Sequence, residues 1–145
     1  MNLNSILKSL QDLLETNATG VKVYQESHVS NQADRVGGYL AWSYSPDYFQ
    51  QCSEFYTGST EGDLDVISYA SGRTNRNTLY TDVLDVMMPV TDGKRVPIGP
   101  VQLTEGVYLH FVRLDDVDEV FTEKSGHATT ETPGILTTFR VKMTV

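Results

Sequence analysis

Residues 134–145, with the sequence GILTTFRVKMTV, carry the pattern that decides the fold of this chain. The apolar side chains of one face are Ile135, Phe139, Val141, Met143 and Val145. The polar side chains of the other face are Thr138, Arg140, Lys142 and Thr144. Alternation with a period of two residues is typical of a strand that buries one face, so this stretch predicts a half-buried β-strand.

Two amphipathic helices are predicted to cover the buried face of that strand. The first helix has apolar residues at intervals of three and four positions, namely Leu3, Ile6, Leu7, Leu10, Leu13 and Leu14. The apolar stripe of the second helix consists of Leu79, Tyr80, Val83, Leu84 and Met87. Thr74, Asn75 or Asn77 should cap the second helix, and Pro89 should end it because proline disfavours helical geometry in the preceding residue. We expect Phe139, Val141 and Met143 to pack against the stripe of the first helix or that of the second.

Other segments of the chain alternate in the same way and are predicted as strands, namely 21–25, 39–44, 63–71 and 106–113. In the last of these, Val107, Leu109 and Phe111 should share one face. The segments predicted as loops or turns are 26–38, 58–62, 91–100 and 115–130. The aromatic segment 47–56 fits either a helical turn or an irregular strand. The pattern predicts one α+β domain over residues 1–145, with a mostly antiparallel sheet of about five strands and two amphipathic helices packed on it.

Composition and charge narrow the classes of function. The chain has a formal net charge of −8 and an isoelectric point near 4.7, which argues against a surface that binds nucleic acid phosphates. No apolar run approaches the roughly 18 residues of a membrane span, and we expect a chain made in the cytoplasm with no membrane partner. Cys52 is the single cysteine, so an intramolecular disulfide is impossible.

A search for catalytic or metal-binding patterns finds weak candidates. His28, His110 and His127 lie far apart in the sequence, and Cys52 has no histidine nearby. The acidic residues Asp115, Asp116, Asp118 and Glu119 resemble a calcium loop in composition but lack the order and the distant glutamate of an EF-hand. The sequence therefore predicts no catalytic residues, no metal and no cofactor. A small metal-dependent hydrolase built around this acidic run and His127 stays open as an alternative.

The order of the predicted elements resembles a family of virion proteins. A leucine-rich helix leads through TGVKVYQ and GYLAWSYSP to EGDLDVISYASGRTNRNTLYTDVLDVMMPV, and GILTTFRVKMTV completes the chain. This succession is similar to the tail-terminator or tail-completion proteins of long-tailed bacteriophages, the lambda tail-terminator family. The chain departs from the pattern at 47–60, which is longer and more aromatic, and at 115–130, which is also long.

The resemblance implies a structural subunit and no enzyme. It implies a hexameric ring in the neck or tail of the virion that caps the tail tube and contacts the head-completion protein. DNA would only pass through the lumen of this ring, and net negative charge is compatible with that role because acidic walls repel phosphate. A tail-tube subunit or a head-closure protein is the alternative within the same class of particle.

The long polar segments are the predicted contacts between copies, because long loops are usually functional or disordered. Segments 26–38, 47–62 and 115–130 should hold most of these contacts. The apolar candidates within them are Tyr48, Phe49, Phe55, Val120 and Phe121. The charged candidates are Asp115, Asp116, Arg140 and Lys142. Arg140 and Lys142 are expected to be free to meet an acidic surface on a neighbouring copy.

Overall fold

The structure is a computed structural model that describes residues 3–16, 21–25, 38–47, 59–70, 72–122 and 132–144; for residues 121, 122, 132 and 133 it describes the backbone alone. The helices are α1 (Leu3–Glu15) and α2 (Arg73–Met87). The strands are β1 (Lys22–Gln25), β2 (Tyr39–Pro46), β3 (Ser59–Tyr69), β4 (Val90–Thr91), β5 (Lys94–Arg95), β6 (Val101–Gln102), β7 (Tyr108–Thr122) and β8 (Thr132–Thr144). A short 3-10 turn spans Thr104–Gly106.

The strands form a six-stranded sheet in the order β1-β2-β3-β8-β7-β6, with β4 and β5 as a separate hairpin. The β1–β2 pair is parallel, and the other pairs of the large sheet are antiparallel. The predicted α+β class is confirmed. The predicted sheet of about five mostly antiparallel strands is close to the observed one, which is mixed because β1 joins its edge in the parallel sense.

The predicted half-buried strand at residues 134–145 is confirmed as β8, which lies inside the sheet between β3 and β7. It pairs with β3 from Ser59↔Thr144 to Tyr69↔Gly134 and with β7 from Tyr108↔Thr144 to Thr122↔Thr132. The side chains of Phe139, Val141 and Met143 are fully buried.

Both helices contribute to the core on this inner face of the sheet, and the expected contact of β8 with a helix is confirmed for α2. The helical members of the main core are Ile6, Leu10, Leu14, Leu79, Val83, Leu84, Val86 and Met87. A polar bridge fixes α1 to the sheet, because Trp42 Nε1 donates to Gln11 Oε1 at 2.6 Å and Gln11 Nε2 donates to the Val23 carbonyl at 2.9 Å.

The prediction of a loop from residue 115 was wrong up to residue 122, because β7 continues to Thr122 alongside the first half of β8. Register shifts between Leu109 and Phe111 and between Leu114 and Asp116 interrupt the alternation of β7. The first shift also overturns the expected face of Phe111. Val112 is buried in the main core in its place, because the irregularity moves the inward position by one residue.

Two smaller predictions were also wrong. The predicted turn 58–62 was wrong from residue 59, because Ser59–Gly62 belong to β3 and pair with β8. Glycine suits position 62, since an added Cβ would sit 2.4 Å from the carbonyl oxygen of Ser45. The helix α2 begins at Arg73 after Gly72, and no side chain makes a capping hydrogen bond there. Its end before Pro89 is confirmed.

We predict that Phe139→Ala lowers the free energy of unfolding by about 3–5 kcal/mol, because the substitution leaves a cavity at a fully buried position. Thermal or urea unfolding measures the change. The control is Lys142→Ala, which changes an exposed side chain of the same strand and should stay within about 0.5 kcal/mol of the parent. Equal stability of the two variants would contradict the central position of β8.

Candidate assembly surface

The sheet face opposite the helices, called here the outer face, carries most of the charged side chains of the sheet. Cross-strand pairing places Asp63, Arg140 and Arg113 side by side on β3, β8 and β7. Residues two positions apart on a strand share a face, so Asp65 and Thr138 belong to the same face. There the Thr138 hydroxyl donates to Asp65 Oδ1 at 2.8 Å.

Arg140 is the centre of an ion cluster on this face. Its guanidinium donates to Asp47 through both terminal nitrogens, to Glu61 Oε2 at 3.0 Å and to Asp63 Oδ1 at 3.3 Å. The Arg140 side chain is 18% exposed, whereas the three carboxylates are 32–46% exposed. The hydrogen bond with Asp47 does most to raise the pKa of Arg140, and those with Glu61 and Asp63 raise it further against the opposing effect of burial.

A second ion pair lies beside this cluster on β7. Arg113 Nε contacts Asp115 Oδ1 at 2.6 Å, and the hydrogen bond from Arg113 holds the pKa of Asp115 below its usual value. Arg113 is 65% exposed, so water screens this pair strongly.

Carboxylates outnumber cations on the charged part of the outer face. The carboxylates at or beside it are Asp47, Glu61, Asp63, Asp65, Asp115, Asp116 and Asp118. The cations are Arg113, Arg140 and Lys142. This part of the surface is therefore acidic even after its ion pairs are counted.

The other end of the outer face is aromatic. Tyr39, Ala41 and Tyr69 form a small buried cluster, and the half-buried Tyr24 and Val120 pack against it. The rings of Tyr39 and Tyr69 have centroids 4.8 Å apart, and burial raises the pKa of Tyr69. Gly134 lies opposite Tyr69, where an added Cβ would meet its ring at 2.7 Å.

The structure places some of the predicted contact residues on this surface. Asp115, Asp116 and Lys142 are exposed, and Val120 is half-buried against the aromatic cluster. The predicted contacts Tyr48, Phe49 and Phe55, together with the side chain of Phe121, lie outside the described residues. Contact of these residues with a neighbouring copy stays a prediction.

The expectation that Arg140 is free was wrong, because carboxylates of its own chain hold it. Sequence reasoning missed Asp47, Glu61 and Asp63 as its partners. The acidic residues at alternate positions of the EGDLD stretch were a signal that could have found two of them, since β3 and β8 are neighbours in an antiparallel sheet.

Other polar sites in the described residues offer little chemistry. No group of three or more His, Cys, Asp or Glu side chains among them is arranged to hold a metal ion. A groove of about 360 Å³ between α1 and the segment around β6 is lined in part by Ser9, Asp12 and Thr104. Asp12 there accepts hydrogen bonds from Lys8 and Thr104, and both bonds lower its pKa. His110 shares a hydrogen bond of 2.9 Å with Thr144.

Comparison with known proteins gives no family. No family model matches the chain, and no curated protein matches it. Of the helices that the structure describes, none is long and apolar enough to cross a membrane.

We predict that Arg140→Met lowers the free energy of unfolding by about 1–3 kcal/mol, because clustered carboxylates lose their common partner. The loss should shrink in 1 M NaCl, where salt screens the repulsion between the carboxylates. The control Arg113→Met removes an exposed guanidinium from the neighbouring position of β7 and should cost less than about 1 kcal/mol. Urea unfolding at both salt concentrations measures the difference, and equal losses for the two variants would contradict the central role of Arg140.

Proposed function

We propose that this protein is a structural subunit of a bacteriophage neck or tail. In this proposal, copies of the chain form a ring, most simply a hexamer, that caps the tail tube and joins it to the head-completion protein. The observation that carries the proposal is the order of elements that resembles the tail-terminator family. The protein would reside in the virion and need no cofactor.

The acidic outer face of the sheet supports a position next to passing DNA. Glu61, Asp63 and Asp65 follow one another on this face of β3, and Asp116 and Asp118 continue the acidic surface on β7. A wall of this kind repels phosphate and lets DNA slide without being bound. In the proposed ring, these carboxylates face the lumen, the helices lie away from it, and Lys142 near the end of β8 meets the neighbouring copy.

The distribution of exposed apolar side chains supports contacts between copies. The large hydrophobic side chains that are exposed in the described residues are Val90, Val96, Val101, Tyr108 and Val117. All of them lie within residues 90–117, which comprise the β4–β5 hairpin, β6 and part of β7. One copy can therefore present this region to a different surface of the next copy, and such a head-to-tail contact closes into a ring.

Electron microscopy of purified tails and a tube-growth assay test the proposal directly. Rings at the end of the tube that stop its growth support the terminator role. Incorporation along the tube points to the alternative role of a tail-tube subunit, and binding to head connectors alone points to head closure. A single copy or a dimer in the assembled particle contradicts the ring. The metal content of the purified protein tests the hydrolase alternative.

We predict that Lys142→Glu leaves the fold intact and weakens ring assembly, most clearly at low salt. Lys142 is exposed on β8 and is expected to meet an acidic surface of the neighbouring copy, so the charge reversal replaces attraction between copies with repulsion. A thermal melt and a ring-assembly assay measure the two effects. Arg73→Glu is the control, because it makes the same charge change at an exposed position in the first turn of α2, where negative charge is tolerated. Normal assembly of Lys142→Glu would show that this position only faces solvent.

A further inference from the structure

The strand β7 has a long edge that no strand covers in the part of the chain that the structure describes. On one side, β8 pairs with it along its whole length. On the other side, β6 reaches only Tyr108 and Leu109. The remainder of that edge, from Val112 onward, has no strand partner among the described residues. An uncovered edge is a template on which another strand can add.

The carboxylates of two aspartates accept hydrogen bonds from backbone N–H groups of this edge. The backbone N–H of Val117 donates to Asp116 Oδ1 at 2.9 Å, and the backbone N–H of Glu119 donates to Asp118 Oδ1 at 2.8 Å. In an antiparallel ladder every second residue turns its N–H away from the partner strand. Val117 and Glu119 are two positions apart, so their N–H groups are successive donors of the free edge. Each donor is satisfied by the carboxylate of the residue before it.

We propose that Asp116 and Asp118 close this edge against the addition of a strand from a second copy of the chain. A strand that adds to β7 must take the N–H groups of Val117 and Glu119, and the two carboxylates already hold them. The register shift between Leu114 and Asp116 also distorts the edge just before the two capped positions.

The occupant that the aspartates keep out is the same edge of another copy. Two β7 edges that meet antiparallel offer one another identical donors and acceptors, which is the self-complementarity that a twofold contact requires. The exposed Val117 would lie within such a contact and be covered by it. The carboxylates oppose the contact in two ways, because they repel their copies and because they compete for the N–H groups.

This inference goes beyond the proposed function and does not depend on it. An edge that is closed in this way leaves copies of the chain to meet through other surfaces. In any assembly, Asp116 and Asp118 would then prevent pairing between copies at the β7 edge.

Paired substitutions separate hydrogen bonding from charge. Asp116→Ala with Asp118→Ala removes both acceptors and both charges, whereas Asp116→Asn with Asp118→Asn removes the same charges and keeps an oxygen acceptor at each position. Sedimentation velocity over a range of concentrations reports association. Amide hydrogen exchange at Val117 and Glu119 reports the edge itself.

We expect the alanine pair to associate as its concentration rises, while the asparagine pair keeps the size of the parent. In dilute solution the two amides of the alanine pair should exchange about two- to tenfold faster than in the parent. At high concentration they should become protected as edges pair. The single variants Asp116→Ala and Asp118→Ala give the same comparison with one open donor if the double variant does not fold.

Two results would overturn the proposal. One is an alanine pair, or both single alanine variants, with the size of the parent at every concentration. The other is equal association of the alanine and asparagine pairs, which would show that charge alone keeps the copies apart.

Discussion

The two-sided hydrogen bonding of β8 is the constraint on which the rest of the structure depends. A strand that pairs on both sides has its backbone donors and acceptors satisfied by neighbours, so its side chains can bury one face at no polar cost. On that face, Phe139, Val141 and Met143 form one hydrophobic core with residues of α1 and α2. Without β8, β3 and β7 would have no common partner, and the sheet would separate into two parts.

The same strand organises the polar chemistry of the outer face. Arg140 follows Phe139 and must point away from the core, where the register of β3 supplies Glu61 and Asp63. Asp47, just after the end of β2, completes the set. Three carboxylates around one guanidinium leave a local excess of negative charge, so the cluster links strands and at the same time gives the surface its sign. The same ion cluster therefore stabilises the sheet and makes this surface acidic.

The sequence predicted the parts of the fold whose pattern is local and regular. The apolar stripes of α1 and α2 and the alternation in β8 each repeat over several turns or residue pairs, and the structure has all three elements. The second half of β7 was missed because its irregularities break the period and its acidic residues resemble a loop. This half of β7 can carry acidic residues, because it pairs with β8 on one side only and the side chains of residues 115–119 are exposed to water.

The candidate surface was predictable only in part, for a similar reason. The exposure of Asp115, Asp116 and Lys142 follows from their type and position in the pattern. The partners of Arg140 are set by the register between strands more than 70 residues apart, as in the pair Asp63↔Arg140. A single sequence gives the inward or outward direction of a side chain, but the identity of its cross-strand neighbour depends on tertiary pairing.

The order of strands in the sheet has a consequence for how the protein reaches this structure during synthesis. The strand β3 is made before α2 and β7, yet one of its two sides waits for β8. Until residues 132–144 leave the ribosome, β3 carries an open sheet edge, and the core lacks the side chains of Phe139, Val141 and Met143. Contacts between segments this far apart form slowly, because a long loop must close before they are gained. The nascent chain is therefore prone to aggregation during that interval, and we expect chaperones that bind extended apolar segments to act before β8 is synthesised.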